Sequence, residues 1–473
     1  MHRVICFIIA CSFIVFAFSR CKSDHNTKTP PPNILLIMAD DLGWGDIGYN
    51  GQSKIKTPVI DQLASGGMIF HQMYAGSSVC GPSRASLITG KHTGHGTVRG
   101  NPKWTLSGKP VDIDASEETI AETLKKAGYR TGMVGKWGLS ENLGKTTPNK
   151  KGFDYFYGFN KHMPAHHYYP DSIWENEQHL RIVGNNTQLK QGQHVQELFT
   201  QKALEFLNTS EQDPFFLYLA YTTPHYELTI PDTYKKEYLK QQWPLRKMQP
   251  KHYLHDSNGH VTYAAMVSKM DADIGRIIEQ LKANGKYENT LIIVTSDNGH
   301  EYDLLKTPFF DSNGPFRGRK RDLYEGGIRI PFSATWPKKI TAGSATEHQA
   351  AFWDLKATFE EIAGVSNATQ TDGISFAPTL LGDPNQSKHN YLYWEFNEAR
   401  GPIQALRKGP WKLMHFVERS KYELYNLDRD ISESNDISKH YPTVVHSLKK
   451  LLSGARSEHP EFPLTKRKNP WKK

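Results

Sequence analysis

The sequence predicts an α/β fold: a large, mostly parallel central sheet flanked by helices, then a smaller C-terminal α+β subdomain carrying a short antiparallel sheet. Three observations carry this. Short apolar runs bounded by turn residues alternate with segments of helical spacing. Carboxylates, a lysine and a histidine each follow closely on such a run. Beyond residue 385 the alternation gives way to short aromatic runs joined by turns.

The elements follow in order. Asn33 to Met38 is an unbroken apolar run after its first residue and reads as a buried strand, leading into Ala39-Asp40-Asp41. A helix is expected over 115–127, with Asp114 and Glu117 as a capping box and Gly128 as its stop. Residues 129–134 read as a strand that runs into Gly135-Lys136-Trp137. Residues 195–207 have helical spacing, and the strand 215–221 leads to Thr222-Thr-Pro-His225. A long amphipathic helix is expected over 261–283, then a strand over 291–295 ending in Ser296-Asp297-Asn298-Gly299. In the C-terminal part, runs at 391–396, 403–406, 411–416 and 422–427 read as strands, and 442–453 as a helix. In open α/β sheets, sites lie beyond the carboxyl ends of the strands. Residues more than 250 positions apart can therefore meet at one edge.

Residues 1–21 read as an export signal. The apolar run Val4 to Phe18 is shorter than the ~20 residues a membrane span needs. Two endings fit: lipidation at Cys21 after Phe18-Ser-Arg, or cleavage after Ala17-Phe-Ser19. Residues 22–32 are expected to form a polar tether, 33–385 the main domain and 386–473 the C-terminal subdomain. The expected location is the periplasm, or the outer membrane, of a Gram-negative bacterium. A net charge of +9 favours anionic partners. The dense basic tail Lys466 to Lys473 reads as a solvated end, and no nucleic-acid partner is expected. Of four cysteines, three lie at or before residue 21, so Cys80 has no disulfide partner in the body of the chain.

Asp40, Asp41, Asp297 and Asn298 offer oxygen ligands alone, which suit Ca²⁺ or Mg²⁺ rather than zinc. Arg84, Lys136 and Lys320 can hold a tetrahedral anion or stabilise charge that develops on it. His225 can act as a general acid.

The segment Cys80-Gly-Pro-Ser-Arg84-Ala-Ser-Leu-Ile-Thr89-Gly90 resembles the signature of the type I sulfatases, in the alkaline phosphatase superfamily. Companion segments appear in the order of that family: Asn33 to Gly43, Thr57 to Ala64, Gly135-Lys-Trp137, Thr223-Pro-His225, Ser296 to Gly299 and the lysine loop Arg317 to Pro331. The resemblance implies that Cys80 is oxidised to formylglycine (3-oxoalanine) by a formylglycine-generating or maturase enzyme before folding. It implies one Ca²⁺ per chain, held by Asp40, Asp41, Asp297, Asn298 and the modified Cys80. A hydroxyl of the hydrated aldehyde attacks sulfur, and loss of a proton from the second hydroxyl then expels sulfate. Arg84 and Lys136 orient residue 80, Lys136 and Lys320 hold sulfate, and His225 protonates the leaving oxygen.

One position departs from the pattern. Many members carry Lys-Trp-His where this chain has Lys136-Trp137-Gly138; His92, His95 and His300 are the candidates to replace the missing imidazole. For the substrate, the segment Lys161 to Tyr169, with His166 and His167, and Trp394 and Arg407 in the C-terminal part point to a sulfated carbohydrate. Galactose or N-acetylgalactosamine sulfate is the expected sugar. The rival readings are a phosphonate or phosphate monoester hydrolase and a non-catalytic sulfoglycan-binding lipoprotein.

Overall fold

The computed structural model describes residues 30–208, 213–246, 256–303, 308–365, 369, 371–398 and 401–465. The expected signal, Cys21, most of the tether and the basic tail lie outside the described residues. Among the described residues sixteen strands follow one another. The first eight are β1 (Asn33–Ala39), β2 (Met68–Phe70), β3 (Met73–Tyr74), β4 (Arg130–Lys136), β5 (Tyr155–Phe159), β6 (Ser172–Glu175), β7 (Gln178–Arg181) and β8 (Phe215–Ala220). The rest are β9 (Thr290–Ser296), β10 (Phe332–Thr335), β11 (Ser344–Thr346), β12 (Ala350–Ala351), β13 (Leu392–Phe396), β14 (Ile403–Lys408), β15 (Trp411–Phe416) and β16 (Lys421–Asn426).

Ten strands build one sheet in the order β11-β2-β10-β9-β1-β8-β4-β5-β6-β7. Its centre, from β9 to β5, is parallel throughout. β10, β6 and β7 run antiparallel to their inner neighbours. Every residue of β1, β8 and β9 is buried, because a parallel sheet is covered on both faces. Side chains alternate between the two cores: Leu35 and Ile37 enter one, Ile34, Leu36 and Met38 the other. The helices Val195–Leu207 and Gly259–Ala283 cover the first face. Cys80–Thr89, Ile120–Lys126 and Asp354–Ile362 cover the second. β13 to β16 form a four-stranded antiparallel sheet in chain order, and Leu448 and Leu452 of the helix Pro442–Gly454 pack on it.

One helix starts later than expected. Asp114 and Glu117 close a loop, Asp114 N donating to Glu117 Oε2 at 3.2 Å, and the helix begins at Ile120. Its capping box is Thr119 with Glu122: Glu122 N donates to Thr119 Oγ1 at 3.2 Å and Thr119 N to Glu122 Oε2 at 2.8 Å.

Candidate active site

Parallel register assembles the site. Ala39 pairs with Ser296, so Asp40-Asp41 and Asp297-Asn298 leave neighbouring strands side by side. Asp41 N donates to Asp297 Oδ1 at 3.1 Å, and Asn298 Nδ2 to Asp41 Oδ1 at 2.7 Å. Two strands away from β1, β4 ends on Lys136, whose Nζ reaches Asp40 Oδ2 at 2.6 Å. Gly135 before it has φ 118°, and a side chain there would meet Ala220 O at 1.9 Å, so only glycine lets β4 lie this close to β8.

Cys80 is the first residue of a helix buried at every position. Its Sγ lies 3.3 Å from Asp40 Oδ1 and 3.8 Å from Asp41 Oδ1. The positive end of the helix dipole thus faces the site. Arg84, one turn along, donates from Nε and Nη2 to Asp297 Oδ2 at 3.0 and 2.8 Å, and from Nη1 to Lys136 O at 2.8 Å. Lys320 Nζ stands 2.6 Å from Asp41 Oδ2 and 3.1 Å from Glu301 Oε2. His225 Nε2 is 3.5 Å from Asp41 Oδ2. Its Nδ1 faces Tyr226 O, and a carbonyl can only accept. In the neutral ring Nε2 would then turn a lone pair toward a carboxylate, an arrangement that calls for a proton or a cation between them.

Burial raises the Asp40 carboxyl, but Lys136, His225, Arg84 and Lys320 outweigh it and hold it well below the usual range. Burial, with Asp40 and Glu301 adding to it, lifts Asp41. Burial and the Asp40 charge push Asp297 up to about 7. Burial, then Asp40, drives the Cys80 thiol well up, so an unmodified Cys80 is neutral and a weak nucleophile. Burial, Lys320 and Lys136 press His225 down to about 3, against the pull of Asp40.

The donors fit a hard cation. Oxygen, sulfur and nitrogen atoms of Asp40, Asp41, Cys80 and His225 lie within 4.8 Å of one another. Asn298 Oδ1 is buried with no hydrogen-bond partner among the described residues. A cation among these carboxylates would relieve the repulsion that lifts Asp297 and Asp41 and would give Asn298 Oδ1 its partner.

The carbohydrate candidates divide. His166 is buried and stacks on His225, ring centroids 4.0 Å apart, which puts it against the site. His167, partly exposed, turns Nδ1 to Glu227 Oε2 at 3.4 Å. Trp394 is 0% exposed, donates from Nε1 to Ala75 O and packs on Tyr74 and Trp353. Arg407 is buried too, bonded to Tyr74 Oη, Gln72 Oε1 and Gly409 O. Both hold the C-terminal sheet to the β3 segment. Of the histidines considered for the missing imidazole, His92 and His95 stack together beside Asp372, and His300 is buried among Asp303, Arg319, Glu301 and Arg246. Two further groups stand near the site. Glu301, which no motif announces, pairs with Lys320 and Arg321. His162 belongs to the Lys161 to Tyr169 segment, where the sequence does not single it out; its place beside Lys136 was implicit in the parallel order of β4 and β5.

A doubly covered α/β sheet that gathers carboxylates, a buried cysteine and two lysines at one edge fits a hydrolase of tetrahedral anionic esters. The chain belongs to the sulfatase family, enzymes that hydrolyse sulfate esters: the family model described as Sulfatase matches residues 32–382. A second model, N-sulphoglucosamine sulphohydrolase, C-terminal, matches residues 316–458. N-acetylgalactosamine-6-sulfatase of Homo sapiens is 33% identical over 92% of this chain and 79% of its own length. The Mus musculus protein of the same name is 30% identical over the same shares. Among solved structures, Ps i-CgsB superposes with a TM-score of 0.76 at 30% identity, covering 91% of this chain and 94% of that one. The same protein has been solved in complex with k-i-k-neocarrahexaose.

Proposed function

We propose that this protein removes sulfate from a sulfated carbohydrate, galactose or N-acetylgalactosamine sulfate, using a formylglycine made from Cys80 and one bound calcium. The observation that carries the reading is Cys80 itself: a neutral, buried thiol at a helix N-terminus, set between Asp40 and Asp41. As a thiol it is a poor nucleophile; as an aldehyde hydrate it supplies the attacking oxygen. Asp40, Asp41, Asp297 and Asn298 hold the cation. Arg84 fixes Asp297 and the end of β4. Lys136 and Lys320, now bonded to Asp40 and Asp41, turn their ammonium groups to the sulfate oxygens. His225 carries a proton to the leaving sugar oxygen. Its ring loses basicity through burial and beside two lysines, and an incoming sulfate offsets the lysine field and favours the protonated form. His166, stacked on His225, and His167 line the sugar side. The carbohydrate choice is supported by the names of the relatives and by the oligosaccharide bound to Ps i-CgsB. The same reading keeps 33–385 as the catalytic part, 386–473 as the smaller one, and the protein exported to the periplasm or outer membrane.

The test uses purified protein with residue 80 shown to be an aldehyde by mass spectrometry. Sulfate release is measured from 4- and 6-sulfated galactose and N-acetylgalactosamine and from sulfated glucosamine, with phosphonate monoesters in parallel. Release from the galacto sugars is expected. Silence on every sulfate with turnover of phosphonate, or binding with no turnover at all, would replace the reading by one of its rivals.

A further inference from the structure

Gly138 marks the place where this chain lacks an imidazole, and another chain segment fills that place. A side chain built on Gly138 would start 3.7 Å from His162 Nδ1 and 3.7 Å from Lys136 Cε. The backbone explains the meeting. β4 and β5 are parallel neighbours with Lys136 opposite Phe159, so the residues that follow both strands leave the same edge of the sheet. Gly138 is two residues past β4 and His162 three past β5. His162 N donates to Glu141 Oε1 at 2.6 Å, which ties the second loop to the first. The residue is 5% exposed, and its Nδ1 has no hydrogen-bond partner among the described residues. A buried imidazole nitrogen left without a partner asks for a ligand. The ring stands edge-on to His166, centroids 4.8 Å apart, and His166 stacks on His225, so the three rings form a wall beside Lys136 and Asp40.

We propose that His162 is the second imidazole of this active site, whose Nδ1 takes up the proton released at position 80 when sulfate departs. The inference rests on the sulfatase reading above. In that step the O–H bond at position 80 breaks and its electron pair closes the carbonyl. The carbon–oxygen bond to sulfate breaks, sulfate leaves with the pair of that bond, and the imidazole returns its proton to water. Burial, with Lys136 beside the ring, keeps His162 unprotonated at rest, the form an acceptor needs. The charges around His92 are Asp372, His95, Arg99 and His389, and those around His300 are likewise not the sulfate-holding lysines.

The experiment compares wild type, His162→Ala, His162→Gln and the double variant His162→Ala/Gly138→His on the panel of sulfated sugars. Both single variants are expected to lose about 10²-fold in turnover, the range of a lost general base. After a quench, the peptide carrying residue 80 is expected to retain the mass of sulfate, which a merely structural role would not produce. The double variant, which returns an imidazole from the other loop, is expected to regain turnover and release that sulfate. Wild-type rates in His162→Ala, or lost turnover with no retained sulfate in a variant that melts like wild type, overturn the assignment. Should His162→Ala melt early, His162→Gln, which keeps the side-chain volume, carries the test. A wild type that frees no sulfate from any sugar fails at the underlying reading, a result separate from those.

Discussion

Lys136 Nζ lies 2.6 Å from Asp40 Oδ2, and both side chains are wholly buried. The lysine ends β4 and the aspartate follows β1, so one ion pair ties two non-adjacent strands of the sheet. The pair holds Asp40 ionised, although burial alone would raise its carboxyl. Removing the lysine leaves a buried carboxylate short of its nearest cation. Lys136→Ala is expected to lower kcat/KM by about 10²–10³-fold through lost charge stabilisation. It is also expected to lose about 3–5 kcal/mol of stability in chelator. Steady-state kinetics and chemical denaturation with EDTA check both; an unchanged denaturation midpoint would show that Asp40 does not depend on Lys136.

Calcium should replace that dependence. Asp41 and Asp297 are lifted by burial and by neighbouring carboxylates, and a bound cation relieves both. Free calcium at 100 times its dissociation constant is expected to stabilise the fold by about 2.7 kcal/mol. Asp297→Asn, which removes one charge and leaves Arg84 with Asp40 alone, at 3.7 Å, should weaken calcium binding. Calorimetric titration and melting with and without EDTA read this directly. Equal melting in both would argue against a metal at these residues.

A pH effect on stability is expected away from the site, at His194. This buried residue caps the helix Val195–Leu207: Gln196 N donates to its Nδ1 at 3.3 Å, and Nε2 faces Thr229 O at 3.1 Å. Burial presses its pKa from 6.5 down to about 4. Because the folded value is depressed, the unfolded chain binds the proton first. The contribution is therefore intact above 6.5 and is lost as pH falls toward 4. By linkage the loss at pH 5 is about 2 kcal/mol. Denaturation of wild type and His194→Asn at pH 7 and pH 5 should show a shallower fall in the variant, since asparagine caps without titrating.

Trp394 separates packing from recognition. Its ring is fully buried between Tyr74 and Trp353. Trp394→Ala is expected to cost about 3–5 kcal/mol of stability. Well below its melting transition the variant should keep the wild-type KM. A raised KM with unchanged stability would return Trp394 to the sugar-binding surface.

Much of this was readable in the residues themselves. β1, β8 and β9 are runs of apolar side chains too long and too unbroken to face water on either side, so they announce a doubly covered sheet. The helix Val195–Leu207 has the bounds its spacing predicts. Polar groups just past strands marked Asp40, Asp41 and Asp297, because strand ends in such a sheet share one edge. β2 is only three residues long, β6, β7 and β11 are short and mixed in character, and the strand state of each comes from the neighbour it pairs with. The helix Cys80–Thr89 has small and polar residues on all sides and no apolar stripe, since every face of it is buried.

The chain's own order of residues, then, was enough to name candidates: a cysteine with no disulfide partner, oxygen ligands, two lysines and a histidine, each local to a motif. It could not say which side chains meet across strands far apart in sequence. Arg84 on Asp297, Lys320 on Asp41 and His162 in the space over Gly138 all follow from register and loop direction. Nor could it separate Trp394 and Arg407, buried against Ala75 and Tyr74, from His166 beside His225. An aromatic or basic side chain has the same local signature whether it faces a pocket or a second sheet. The packing partner that distinguishes the two lies hundreds of residues away, and folding alone brings it there.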